Sequence, residues 1–257
     1  MSGWFYDFSA VFLYPVIAVL IAGAGELGNL IGRRLRKAHI EGGDIGTLTG
    51  AALGLLALLL AFSFSIALSR HDARRNTVLE EANAIGSTAN FALMLPDSFK
   101  EPILSLLRDY TAIRMGLGVP FDPAKMERDV VQSLVLQSQL WQQAVALTQA
   151  APQSLPAYRF VASLNEMNNI HERRLTGLRN HVPAEVMLML IGVSMVAMGF
   201  TGYHAGIAGA RRRVINLIMS VTVAILIMLV VDLDRPSRGL IVVPVQPLLD
   251  AAQAIPP

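Results

Sequence analysis

The chain has 257 residues, of which 53% are hydrophobic and 16% charged, with no cysteine and a formal net charge of +2. A soluble globular domain of this size carries fewer apolar and more charged residues, so the composition excludes that class and points to a membrane. The missing cysteines exclude disulfides, thiolate metal sites and cysteine nucleophiles. With so small a net charge, no basic stripe interleaved with aromatics and no Gly-rich phosphate loop, nucleic acid is not an expected partner.

The opening "MSGWFYDFSA" carries Asp7 and no Lys or Arg, whereas a signal peptide begins with a basic region, so this segment is expected to be retained. A helix crossing a hydrocarbon core about 30 Å thick needs roughly 20 apolar residues. Four segments have that character, at about 11–31, 45–68, 184–203 and 214–231.

The first span contains Glu26, in "GAGELGNLIGRR". An ionisable group at mid-span costs about 2.5–3.5 kcal/mol on insertion scales and needs a reason. One reading pairs Glu26 with Arg33, two turns on, or with an arginine of the second short loop; the other makes Glu26 and Asn29 a proton or cation site. Ala24, Gly28 and Gly32 recur every fourth residue, the spacing that lets helix backbones approach closely in lipid, against either the same chain or another subunit. A short loop follows, carrying Arg33, Arg34, Arg36 and Lys37.

The second span has a similar small-residue stripe, Gly50, Gly54, Ala57, Ala61 and Ser65. Its opposite side holds Leu55, Leu58, Leu59, Phe62 and Ile66, which either meet lipid or, in a symmetric assembly, ring a pore that gates by dewetting. The stretch "AFSFSIALSRHDARRNTVLEEANAIG" passes from hydrocarbon to charge with no proline and, from 69 to 80, no helix-stop signal, which predicts one helix from about 49 to 92.

The middle region, 70–183, reads as soluble helices punctuated at "LPDSFKEP", "GLGVPFDP", "APQSLP" and "HVP". Counting the continuation of the second span, four helices are expected. Val130, Leu134, Trp141, Ala144 and Val145 are assigned to the buried stripe of the one that begins near 123.

The second hairpin, 184–231, has a short loop bearing Arg211, Arg212 and Arg213, and its last span ends in "VDLDRPSRG". An even number of crossings separates that end from Arg70, Arg74 and Arg75, so Asp232 or Asp234 is placed to neutralise those arginines in a structural network. The same charges are otherwise an ion-attracting vestibule. The tail, 232–257, includes "LIVVPV", where Pro244 argues for an edge strand or none. The expected units are therefore 1–69, 70–183, 184–231 and 232–257, in an all-α integral membrane protein of two hairpins around a helical extramembrane domain.

Catalysis finds little support. His39, His71, His171, His181 and His204 are scattered without the spacing of a metal motif, and no hydrolase serine elbow is visible, so no catalytic residue, metal site or cofactor is assigned. Basic residues in both short loops, and none before the first span, favour those loops inside and the termini and middle domain outside.

The chain resembles the bestrophin-like bacterial membrane proteins, a family mostly without an assigned function. The resemblance is carried by "GELGNLIGRR", "SRHDARRNTVLEEANAIG", "LLRDY", "LNEMNN" and "VDLDRPSRGLI". A more distant resemblance is to the true bestrophins, pentameric anion channels, whose second helix forms a narrow neck where Leu58, Phe62 and Ile66 stand here. In those channels the middle helices are cytosolic, opposite to the charge count, and the calcium-binding acidic cluster of the animal members is not found in this sequence. The resemblance implies a homo-oligomeric multi-pass protein of the cell inner membrane that conducts chloride or another small anion, with lipid and further copies of itself as partners. The other expectation is a non-conducting scaffold or sensor whose helical domain binds a partner.

Overall fold

A computed structural model of the chain describes residues 10–37, 45–117, 122–209, 211–235 and 239–256. Asp7, His39 and Arg238 lie outside the described residues, as do the side chains of Lys37 and of Arg211, Arg212 and Arg213. Eight helices are described: α1 (Ala10–Lys37), α2 (Ile45–Ala92), α3 (Asp97–Gly116), α4 (Pro123–Ala150), α5 (Leu155–Arg179), α6 (Ala184–Ala208), α7 (Arg211–Leu233) and α8 (Gln246–Ala254). No strand occurs among the described residues. Four helices carry stretches long and apolar enough to cross a bilayer, and the protein is a multi-pass membrane protein. Helix α2 runs for 48 residues without a break at 69–75, as its lack of stop signals predicts.

The chain divides into two compact units. The first, Met1–Arg70 with His181–Ile241, holds the membrane helices. Here α1 packs on α6 and α7, and α6 on α7. Glycine makes the α1–α6 approach possible. A methyl built on Gly28 would lie 2.0 Å from the Gly199 carbonyl oxygen, one on Gly202 1.9 Å from that of Gly25, and one on Gly206 2.3 Å from that of Asn29. The small residues of the first span thus face a helix of the same chain, whereas Gly50 and Gly54 on α2 have nothing within 4 Å. Ile17, Ile21, Leu56, Met187, Leu190 and Ile227 fill this core. Hydroxyls in lipid need internal partners, and Ser194, Thr201 and Ser220 donate to the carbonyls of Leu190 (2.7 Å), Ala197 (2.8 Å) and Asn216 (3.0 Å) on their own helices.

The second unit is His71–Asn180 with Val242–Pro257. Its helices start where the chain supplies caps. Asp122 accepts from the amides of Ala124 (2.9 Å) and Lys125 (3.2 Å) ahead of α4, and Ser154 from that of Ala157 (3.3 Å) ahead of α5. Val78, Ile85, Leu104, Leu107, Leu140 and Phe160 form its core, closed by Leu248 of α8. One sequence expectation needs correction. On α4 the buried face is Ser133, Leu136, Gln137, Leu140, Ala144 and Leu147, while Leu134, Trp141 and Val145 are exposed. The helix is apolar on two sides, and periodicity alone does not say which one the chain covers. Of the two readings of "LIVVPV", the one without a strand holds: 240–245 is irregular and leads into α8, a helix the sequence reading did not foresee.

Candidate functional site

On α2, Leu56, Ser63 and Ala67 are buried, and Leu59 and Leu60 pack against the membrane core. Leu58, Phe62 and Ile66 fall on another face and are 53%, 60% and 47% exposed within one copy of the chain. Their four-residue spacing stacks them one turn apart. The stripe is continuous and entirely hydrocarbon, so it offers an ion no ligand.

Beyond Ser69, Arg70 is half-buried and Arg75 exposed. Arg74 is buried and donates from Nε to the Gly177 carbonyl (3.0 Å) and from Nη2 to the Asn180 carbonyl (2.6 Å), at the end of α5. A helix C-terminus leaves carbonyls without internal partners and concentrates negative potential, which a guanidinium satisfies on both counts.

The carboxylates after the fourth span are buried and organise backbone. Asp232 accepts from the Tyr14 hydroxyl (2.5 Å) and from the Leu240 amide (2.8 Å) through Oδ1, and from the Ile241 amide (2.9 Å) through Oδ2. Asp234 accepts from the Val182 amide at 2.7 Å, and His181 Nδ1 stands 3.1 Å from the Asp234 carbonyl. Asp232 and Asp234 therefore tie the starts of α1 and α6, and the amides of Leu240 and Ile241, to the end of α7.

Within the membrane unit Glu26 is half-buried, and Asn29 is buried at the α1–α6 contact. Among the described residues Asn29 Nδ2 has no hydrogen-bond partner, and neither has Oδ1 of Asn216, equally buried on α7. A methyl on Gly25 would come within 2.9 Å of Asn216 Nδ2 and 3.0 Å of Ser220 Oγ, so the glycine makes room for these polar groups. A nearby cavity of about 280 Å³ is lined by Thr49, Thr201, His204 and Asn216 among others.

A further cluster of buried charges lies in the helical unit, and sequence reasoning missed it. Glu81, fully buried on α2, takes Arg114 Nε on Oε1 (2.6 Å) and Arg174 Nη1 on Oε2. The Tyr110 hydroxyl lies 3.3 Å from Oε1 and 3.0 Å from His171 Nδ1, and Gln137 Nε2 approaches it at 3.5 Å. Arg174 Nη1 also reaches the Arg114 carbonyl at the end of α3 (3.3 Å). Burial pushes the Glu81 carboxyl up, but the two guanidiniums outweigh it and hold the group below its ordinary value. His171 is pushed down to about 4, first by burial and then by Arg114, and so is neutral at physiological pH. A signal for this cluster existed. Tyr110 and Arg114 continue the apolar spacing of Ile103 and Leu107, and His171 and Arg174 that of Leu164 and Met167, so polar groups stand on faces otherwise turned to the core. Among the described residues no group of His, Asp or Glu has the arrangement of a metal site.

A family model described as the Bestrophin-like domain matches residues 19–248. Among solved structures, a bacterial bestrophin homologue from Klebsiella pneumoniae, phased with zinc, superposes with a TM-score of 0.71 at 14% identity, covering 94% of this chain and 96% of that one. Two point mutants of a bacterial bestrophin homologue from the same organism give TM-scores of 0.73 at 14% identity, covering 94% and 97% of the two chains, and 0.71 at 15%, covering 97% of each. No curated protein matches the chain. At these identities the structural likeness establishes the fold.

Proposed function

Since the chain belongs to the bestrophin-like family, we propose that it is a homo-oligomeric ion channel of the cell inner membrane that conducts small anions such as chloride, with Leu58, Phe62 and Ile66 as its neck. The observation that carries this reading is the state of α2 within one copy. Its apolar stripe is exposed, and Gly54 and Gly50, which continue the same four-residue row one and two turns before Leu58, would have nothing within 4 Å of an added methyl. A helix row that its own chain leaves uncovered over several turns is suited to face an axis shared with other copies, the glycines allowing close approach at one end and the apolar side chains lining the opening. Stacked apolar rings exclude water when narrow, so the neck limits conduction.

Arg70, Arg74 and Arg75 supply positive potential beyond the span and favour anions by an amount that salt screens. Arg74 is buried and anchored on α5 carbonyls, which leaves half-buried Arg70 and exposed Arg75 the more accessible contributors. Loop charge supports both short loops inside and the helical unit outside. Asp232, Asp234, Glu26 and Asn29 hold structure in this reading, and no enzymatic step is assigned.

Purified protein in proteoliposomes tests the proposal. Anion current is expected from wild type, larger current or open fraction from Phe62→Ala, and little change from Leu60→Ala, whose side chain packs in the core. Current unaffected by Phe62→Ala places the neck elsewhere. Absence of current from well-folded oligomer favours the non-conducting scaffold or sensor.

A further inference from the structure

The charges around Glu81 do not balance. Two guanidiniums, Arg114 and Arg174, meet one carboxylate, and His171 is neutral, so this cluster carries one uncompensated positive charge. Arg114 is 0% exposed and spends only Nε on Glu81. Its Nη1 and Nη2 are buried and find no acceptor among the described residues, nor does Nε of Arg174. An uncompensated buried charge is among the costliest arrangements in a protein, and each unmet donor adds to it. Three of the stretches that carry the family resemblance meet in this unit. "EEANAIG" supplies Glu81, "LLRDY" supplies Tyr110, and "LNEMNN" supplies Asn168, whose Oδ1 is also buried without a partner.

We propose that the helical unit holds one small inorganic anion, of chloride size, on Arg114 Nη1 and Nη2 together with Arg174 Nε. Charge decides the sign of the ligand, because water satisfies donors without neutralising the excess. Burial decides its size and source. With Arg114 fully enclosed by its own chain and Arg174 only 5% exposed, a carboxylate from another protein cannot reach them without the unit opening. The guanidinium plane of Arg114 also lies 5.9 Å from the Tyr110 ring centroid, which fixes its orientation while the Nη end stays available. Such an ion belongs to the soluble unit and ties α2, α3 and α5 together through Glu81, Arg114 and Arg174. This inference does not depend on conduction.

The test uses full-length protein in detergent and needs no current. Crystals grown with bromide in place of chloride are expected to show an anomalous peak within about 3.5 Å of Arg114 Nη atoms, a usual reach for N–H to halide contacts. At constant ionic strength, replacing gluconate by chloride is expected to raise Tm saturably, by about 5 °C at ~100 mM, as ligand binding to the folded state requires. In Arg114→Gln, which keeps amide donors but removes the charge, the chloride-dependent part of the rise is expected to vanish. If that variant does not fold, the two wild-type measurements decide. Density at the site without anomalous signal, or equal wild-type Tm in chloride and gluconate, overturns the proposal.

Discussion

Replacing Gly202 by alanine tests whether backbone contact between α1 and α6 holds the membrane unit together. The added methyl would sit 1.9 Å from the Gly25 carbonyl oxygen and 3.1 Å from the Asn29 amide nitrogen, against about 3.4 Å for ordinary van der Waals contact. No rotamer relieves this, because both the new atom and its neighbours belong to backbone. The helices must separate by roughly 1.5 Å or slide, giving up the close packing that replaces the hydrophobic drive in lipid. Overpacking of that kind costs about 1–3 kcal/mol, whereas alanine's better helix propensity returns less than ~1 kcal/mol. At about 2–4 °C per kcal/mol for a chain of this size, Tm in detergent should fall by about 2–8 °C. Gly54→Ala is the control, since its methyl meets nothing within 4 Å in one copy. It should leave the Tm of dispersed monomer unchanged or slightly higher, while Gly54→Leu should reduce oligomer mass if that stripe meets another subunit. A Gly202→Ala protein as stable as wild type would refute the packing argument.

Mass measured in nanodiscs should be several times the 27.8 kDa of the chain, and a monomer at low detergent would exclude the pore. Acid should destabilise the helical unit in two stages. His171, whose neutral form is held by burial among Glu81, Tyr110, Arg114, Gln137 and Arg174, binds protons in the unfolded state below its ordinary 6.5 but in the folded state only near 4. Stability is therefore complete above about pH 6.5 and falls by on the order of 1–2 kcal/mol by pH 5, a slope that His171→Gln should flatten in denaturant titrations. Glu81 has a lowered value, so its contribution persists above the ordinary carboxylate range and is lost only at more acidic pH, as the folded group itself titrates. Asp232→Ala removes the acceptor of two amides and the Tyr14 hydroxyl and should cost about 2–4 kcal/mol, read as a Tm loss larger than that of Tyr14→Phe. For orientation, single cysteines at exposed Gln132 and Ala208 should label in intact cells at Gln132 and stay protected at Ala208; the reverse result would place the helical unit in the cytosol.

The four spans, the unbroken α2 and the helical character of the middle region were legible in the sequence, because each depends on local quantities: apolar run length, missing stop signals, and prolines and caps where helices begin. The family was legible too, through motifs. What those motifs do was not. "VDLDRPSRGLI" read as charges, and nothing in it announced that Asp232 and Asp234 also accept from the backbone amides of Leu240, Ile241 and Val182, which only packing brings to them. The small-residue stripes on α1 and α2 look alike in sequence, and only packing shows that Gly28 meets Gly199 of the same chain while Gly54 meets nothing. On α4, two apolar sides competed for the core, and the partners on α3 and α5 decided which was covered. Glu81, Arg114 and Arg174 come from three helices, and a charge is stable in a protein interior only through partners that tertiary structure brings within hydrogen-bond reach. Sequence fixes what a residue can bond to along its own helix; which distant group arrives there is settled when the helices pack.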